Sequence, residues 1–351
     1  MRHGCRIKVF DRFDIPQGLP RWHACANWPT GASLTRHPGW LTVLAQAMKH
    51  EPYCLEATVG TETVGLLPMS FVRSLLFGRF LVSLPYLNSG GVMASDESVA
   101  TALIDRAVRL SDKLGVRYLE LRHEAECPHP ALTETLTNKV HMRLPLPCCE
   151  DELWKQFKPK VRNQVRKAEK LGLSVHWDGQ ELLGEFYAVF AHNMRDLGTP
   201  VFSRRLFQGV LAQFSGMAEI CVVRLQRQPV AAGLLVHGSS VSDVLSASSL
   251  RAYNWTNANM LMYWHLLKRA IDRGQQVFDF GRSSIGSNTY RFKKQWGAHP
   301  EPAVWQYYVR KGSVANMRRE NGRYDRFVGV WRHLPVSVTR VIGPPIVRGI
   351  P

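Results

Sequence analysis

Val277-Phe278-Asp279-Phe280-Gly281-Arg282-Ser283-Ser284, followed by Thr289-Tyr290-Arg291-Phe292-Lys293-Lys294-Gln295-Trp296-Gly297, is the stretch whose reading decides the fold. Val277, Phe278 and Phe280 are strong strand formers between Gly274 and Gly281, so a short buried strand is predicted with a carboxylate inside it. The strand opens into a polar Gly/Ser loop, where Asp279 and Arg282 would project. Strand ends are where α/β sheets present ligand-binding groups. Tyr290, Lys293 and Lys294 follow closely. Such a cluster suits an anionic ligand, or the charge that develops on a carbonyl oxygen during acyl transfer.

Outward from this stretch, a helix, a glycine and a strand precede Asp279, and the same succession occurs once before. A helix from Ser98 to Leu114 has Leu103, Ala107, Leu110 and Leu114 on one face, stops at Gly115 and delivers the strand Tyr118-Leu119-Glu120-Leu121. Other pairs keep the same order. Val43-Leu44-Ala45-Gln46 returns as Val210-Leu211-Ala212-Gln213, and the hairpin return Val64-Gly65-Leu66-Leu67 as Ala232-Gly233-Leu234-Leu235. The offsets are roughly 160 to 170 residues, the length of one domain. A duplicated α/β (α+β) domain is expected, with mixed sheets flanked by helices, over 1–137 and 138–312, and Glu120 in the place of Asp279. Residues 313–351 lie beyond the second copy as a basic tail.

The remaining elements follow from periodicity. One strand is predicted at Ile7 to Phe10, in an otherwise Pro-, Gly-, Trp- and Arg-rich segment of about 32 residues. A helix starts near Pro38 and carries Trp40, Leu41, Leu44 and Met48, and a hairpin turns at Gly60-Thr61-Glu62. Val140 to Leu146 is a strand opening the second copy. A helix over Val161 to Leu171 has Val161, Val165 and Ala168 on one stripe and is otherwise cationic, so Arg162 and Arg166 are either a solvated face or anion ligands. Val241 to Ser246 precedes Asn254-Trp255-Thr256-Asn257, where Thr256 or Asn257 would cap a helix running to Arg273 and leave its first amides for a phosphate.

Lys and Arg total 45 against 28 Asp and Glu in 351 residues, for a formal charge of +17 and a pI near 9.9. Such a surplus favours phosphate-bearing partners. Seven cysteines without a CxxC or a Cys/His ligand spacing suggest neither a metal site nor a disulfide framework. No apolar run is long enough to span a bilayer, and the start of the chain lacks a signal-peptide core, so a cytoplasmic protein is expected.

Lys160-Val161-Arg162-Asn163-Gln164-Val165-Arg166-Lys167-Ala168-Glu169-Lys170, Phe278-Asp279-Phe280-Gly281-Arg282-Ser283 and Tyr290-Arg291-Phe292-Lys293-Lys294-Gln295-Trp296-Gly297 carry a family resemblance. Leu84-Pro85-Tyr86, Ser89-Gly90-Gly91 and Arg195-Asp196-Leu197-Gly198-Thr199-Pro200 fit it too. Together they resemble the FemAB-type branch of the GNAT acyltransferases, in particular the group associated with exosortase and PEP-CTERM exopolysaccharide systems. The resemblance implies two tandem GNAT-like domains and N-acyl transfer. The donor would be acyl-CoA, as in BioF-like acyltransferase domains, or aminoacyl-tRNA, as in the Fem peptidoglycan bridge enzymes, with no tightly bound cofactor. The usual GNAT pyrophosphate turn is absent, because Arg251-Ala252-Tyr253-Asn254-Trp255-Thr256-Asn257 has no glycine.

Three functions stay open at this stage: an N-acyltransferase of a phosphate-bearing or lipid-linked cell-envelope or exopolysaccharide precursor, an aminoacyl-tRNA-dependent ligase, and a basic binding protein of the same fold. For the first, Asp279 would assist loss of a proton from the amine, and Lys293 or Tyr290 would stabilise the tetrahedral intermediate. Arg162, Arg166, Asn257, Arg282, Ser283 and Lys294 would bind substrate. The tail interleaves Phe327, Val330, Trp331, Val338, Val341 and Ile342 with Arg323, Arg326, Arg332, Arg340 and Arg348. That pattern suits either peripheral contact with the inner face of an anionic membrane or docking on the protein itself.

Overall fold

The computed structural model describes residues 5–25, 33–74, 77–313 and 325–350. These form two compact units. One holds the described residues of Met1–Val140, Glu301–Gly322 and Arg348–Pro351, and the other those of His141–Pro300 and Arg323–Val347.

In chain order the first stretch runs β1 (Cys5–Phe10), α1 (Ile15–Cys25), α2 (Trp40–Met48), β2 (Glu51–Val59), β3 (Glu62–Ser74), β4 (Gly78–Val82), β5 (Met93–Ala94), α3 (Glu97–Leu114), β6 (Tyr118–His123) and β7 (Glu134–Leu136). There follow β8 (Lys139–Pro145), α4 (Glu150–Gln156), α5 (Pro159–Lys170), β9 (Leu173–Asp178), α6 (Leu183–Asp196), α7 (Arg204–Gln213), β10 (Ala218–Leu225), β11 (Gln228–His237) and β12 (Val241–Ser249). The chain ends with α8 (Ala258–Asp272), β13 (Val277–Ser284), α9 (Asn288–Gln295), β14 (His299–Pro302), β15 (Val304–Val309), α10 (Asp325–His333) and α11 (Val336–Val347). The first sheet has the order β1-β2-β3-β4-β6-β15-β7, with β5 alongside β3, and the second the order β14-β8-β13-β12-β11-β10-β9.

The repeat is visible strand by strand. In each sheet antiparallel strands lead to one parallel pair, β4 with β6 and β12 with β13, joined through a helix. The third rung of the first pair is Val82 with Glu120, and that of the second is Asp243 with Asp279, so the two acids occupy equivalent places. The crossover helices pack in the same way. A Cβ on Gly65 would stand 2.7 Å from Val99 and 2.8 Å from Leu103 of α3, and one on Gly233 3.2 Å from Leu266 of α8. The glycine in each recurring tetrapeptide thus lets a helix lie close on the central antiparallel strand. α3 starts where the Asp96 side chain accepts from the Val99 amide and stops at Gly115, whose φ of 62° is left-handed.

Three features differ from the sequence-based expectation. β13 continues through Ser284, so Gly281 to Ser284 are strand where a loop was expected, because β8 pairs along one side of them. β15 lies between β6 and β7 in the first sheet, although the second copy was expected to run to residue 312; its Tyr307 and Gln306 pair with Glu120 and Leu121. Ile15–Cys25 is helical despite Pro20, which a Pro- and Gly-rich reading passed over.

The tail is structured over 325–350. Trp331, Thr339 and Val347 are buried, Arg195 Nη1 donates to the Leu334 carbonyl at 3.2 Å, and Gly343 leaves room for the Val201 backbone. α10 and α11 therefore dock on α6 and the segment after it, within the second unit. Arg323 lies outside the described residues.

Candidate active site

The parallel pairing of β12 with β13 lasts only three rungs, Val241–Asp243 with Val277–Asp279. Beyond them β12 stays with β11 as far as Ser249, shifted by an irregularity at Leu234/Leu235, while β13 runs on to Ser284. The two strands part, and a split opens just past Asp279.

Asp279 is buried and held by three donors. Gly281 N donates to Oδ1 at 2.6 Å; His141 Nδ1 and Arg143 Nε, both on β8, donate to Oδ2 at 3.2 and 3.0 Å. Burial alone would raise this carboxyl, but His141, Arg143 and the Gly281 amide outweigh it and hold it below the ordinary carboxylate range. The group is a fixed anion. His141 is fully buried, and its Nε2 has no hydrogen-bond partner. With Nδ1–H committed to the carboxylate, the Nε2 lone pair is available to accept a proton.

Lys293, on α9, reaches back to the same strand. Its Nζ donates to the carbonyls of Gly281 and Arg282 at 2.9 and 3.1 Å. Burial pushes its ammonium down to about 8, against a smaller upward pull from Asp279. Ser283 is buried, and its Oγ has no partner. Asp279, Gly281 and Ser283 share one face of β13 by strand alternation. Phe278 and Phe280 take the other, with Tyr263 stacked on Phe280 at 5.6 Å.

A pocket of about 280 Å³ lies where β11 and β12 meet the start of α8. It is lined by Gln164 of α5, Ser249, Tyr253, Asn257, Asn259 and Gln295 among others, and Gln164 Oε1 is buried without a partner. The segment Arg251–Thr256 is a 3-10 turn, and Asn257 follows at φ 58°. Asparagine tolerates this left-handed conformation, so it can stand where a glycine turn would otherwise be needed. Thr256 Oγ1 accepts from Ala258 N at 3.1 Å, which makes Thr256 the cap; the Asn257 side chain makes no cap bond.

The expected residues therefore distribute unevenly. Asp279, Ser283 and Lys293 gather on β13 past the split, and Asn257 lines the pocket. Tyr290 is in the first turn of α9, capped by Ser287 Oγ, with Lys294 Nζ 6.0 Å from its ring. Arg162 is half-buried, and Arg166 is exposed over the Trp154 ring at 5.5 Å. Arg282 is half-buried on the aromatic face of β13. His141 and Arg143 were not legible, because they sit on a strand remote in sequence whose place beside β13 follows from the sheet order alone. Gln164, Tyr253 and Gln295 carry no signal beyond their polarity. Among the described residues, Cys148, Cys149 and Glu152 lie close enough to share an ion, all exposed, although no metal-ligand spacing had been expected.

Residues 155–294 match the family model described as Acetyltransferase (GNAT) domain. This segment spans the split, the pocket and Lys293, and the match supports an acyltransferase. No protein of curated function matches the chain by sequence. Among solved structures the chain is similar to FemX, at 15% identity over 83% of this chain and 95% of that one, with a TM-score of 0.63. It is also similar to L-PGS from Bacillus licheniformis (14% identity, 93% and 97% covered, TM-score 0.55). A third likeness is to a tandem GNAT protein from the clavulanic acid biosynthesis pathway (10%, 88% and 100%, 0.54). Both sheets share the GNAT-like arrangement, so the fold is a tandem of two such domains.

Proposed function

We propose that this chain is an N-acyltransferase that receives its acyl donor in the split between β12 and β13 and passes the acyl group to an amine of a cell-envelope or exopolysaccharide precursor. The observation that carries this reading is the split itself. It leaves strand backbone groups unpaired beside a buried Asp279–His141 pair, in a segment that matches an acetyltransferase domain. The resemblance to FemAB-type proteins and the likeness to FemX favour this kind of acceptor over others.

In the reaction the free amine attacks the carbonyl carbon of a thioester or ester. A C–N bond forms, the C–S or C–O bond breaks, and the thiol or hydroxyl of the donor leaves with a proton. His141 Nε2 takes the proton from the attacking nitrogen, and Asp279 holds the ring in the tautomer that allows it and stabilises the imidazolium. The sequence had given proton removal to Asp279 directly. With three donors on its oxygens, the carboxylate serves better as the partner of His141. Ser283 Oγ and the Tyr290 hydroxyl are the candidate donors to the oxyanion. Lys293 fixes the Gly281 and Arg282 carbonyls and supplies positive charge behind them. The pocket at the start of α8 takes the phosphate-bearing part of the donor, where first-turn amides favour an anion.

Two donor classes are separated by one set of titrations. Coenzyme A and acetyl-CoA are followed by calorimetry, and charged tRNA by filter binding, each with the wild type and with Asn259→Trp, which fills the pocket. One donor should bind and lose at least about tenfold in affinity in the variant. Binding of neither donor, or equal binding by both forms, sinks the reading.

A further inference from the structure

α11 is apolar on two sides. Toward the second unit it turns Thr339, Gly343 and Val347, all buried and four residues apart. The opposite side carries Val338, Val341, Ile342 and Pro345, at i, i+3, i+4 and i+7, with the first three 40%, 74% and 38% exposed. α10 extends the same kind of surface with Phe327 and Val330, 40% and 65% exposed. Once the inner stripe has docked, the outer stripe adds nothing to the stability of the isolated chain. An apolar surface of this size with a polar margin is the mark of an interaction face.

The charge around it is one-sided. Arg332 and Arg340 are exposed, and no Asp or Glu follows Asp325 in the sequence. The Arg340 guanidinium is placed 5.4 Å from the Tyr187 ring. Aliphatic and aromatic side chains next to arginines, with no acid among them, match the boundary between anionic headgroups and acyl chains. A spanning role is excluded for these segments: α11 has 12 residues with Pro344 and Pro345 near its end, and no described helix is long and apolar enough to cross a membrane. We propose that α10 and α11 form a docking face that lays Val341, Ile342 and Val330 into the headgroup boundary of an anionic bilayer. This inference does not depend on the acyl-transfer reading.

Co-sedimentation of the full chain with phosphatidylglycerol/phosphatidylcholine vesicles and with phosphatidylcholine vesicles alone tests it. The wild type should bind the anionic vesicles, and Val341→Asp combined with Ile342→Asp should lose at least about tenfold in partitioning. Both positions are exposed, so the double variant should keep the wild-type circular dichroism and melting temperature. Arg332→Gln with Arg340→Gln should erase the preference for anionic over neutral vesicles. Absence of wild-type binding overturns the proposal, as does equal binding by the aspartate variant. So does loss on changing the arginines alone, which would mean surface charge without insertion. A dimer in light scattering that the aspartate variant dissolves would assign the face to a second copy and overturn the membrane reading.

Discussion

Replacing Lys293 with methionine should change the pH dependence of stability in a calculable way. The ammonium is 8% exposed, and its pKa falls from the model value of 10.5 to about 8 through burial, with Asp279 pulling the other way. Between those two values the unfolded chain binds a proton that the folded chain has released, so stability rises with pH across this window. The full rise is about 3.4 kcal/mol, from about 2.5 units at about 1.36 kcal/mol each. From about pH 7 to about pH 9 the linkage relation gives about 1.3 kcal/mol of that rise. Lys293→Met has no proton to lose, so its stability relative to wild type should decline by about this amount over the same interval. Urea denaturation of both proteins at several pH values, followed by tryptophan fluorescence, measures the difference while cancelling the titration of shared groups. The two hydrogen bonds to Gly281 and Arg282 persist in the neutral amine, so their loss offsets the curves without tilting them. A pH-independent difference would refute the burial argument, and with it the placement of a perturbed lysine behind β13.

Asp279→Asn should destabilise the fold by about 3–5 kcal/mol, because it leaves the buried His141 and Arg143 without their carboxylate. Since the native carboxyl is held below its ordinary range, its stabilisation is complete above the unfolded carboxyl pKa and fades as pH falls through the folded one; the variant should show less acid sensitivity in equilibrium unfolding. His141→Gln should remove most transfer activity, a loss of about 10²–10⁴-fold in kcat, with donor affinity in calorimetry unchanged. A wild-type kcat in this variant would remove His141 from the reaction. Gly91→Ala would drive a Cβ into the His123 ring and should cost about 1–3 kcal/mol in thermal unfolding; an unchanged melting temperature would contradict the close approach. Gly343→Val would collide with the Val201 backbone, and limited proteolysis should then cut within α10 and α11 far faster than in the wild type.

The fold was legible wherever a local pattern is tied to a tertiary need. Gly65 and Gly233 recur because a helix must pass close over a strand, and Gly115 and Gly274 recur because a helix must stop there in a left-handed residue, with φ 62° and 67°. The site was legible only along β13 and α9, where Asp279, Ser283 and Lys293 fall within one short run. His141 and Arg143 were hidden because hydrogen-bonded neighbours in a sheet need not be neighbours in sequence, and β8 reaches β13 across most of the second copy. The position of β15 was hidden for the same reason: its apolar residues fit a strand in either sheet. The outer stripe of α11 was legible as composition, but its exposure depends on which of two apolar faces docks, and periodicity does not distinguish them.

The comparison of the two parallel pairs explains why only one repeat keeps an open site. After Val82 the first repeat folds back along β6 instead of parting from it. Ser83 N donates to the Glu120 carbonyl at 2.9 Å, Ser83 Oγ accepts from Arg122 N at 2.9 Å, and the Gly90 and Gly91 amides both donate to the Arg122 carbonyl at 3.0 Å. Leu84 and Tyr86, at φ 50° and 72°, make the reversal tight, and such strain persists only where the surroundings over-determine it. Glu120 meets Arg122 Nε at 2.6 Å, and Arg122 Nη1 donates to the Leu87 carbonyl at 2.7 Å while its guanidinium lies 4.1 Å from the Trp305 ring. The backbone groups that the second repeat leaves free beyond its third rung are thus consumed in the first by its own loop. An acid at the same rung is in one repeat the tie of a closed loop, and in the other the partner of a buried histidine beside an open split. The chemistry belongs to the second repeat for that reason, and the first serves as a scaffold whose corresponding cleft is filled from within.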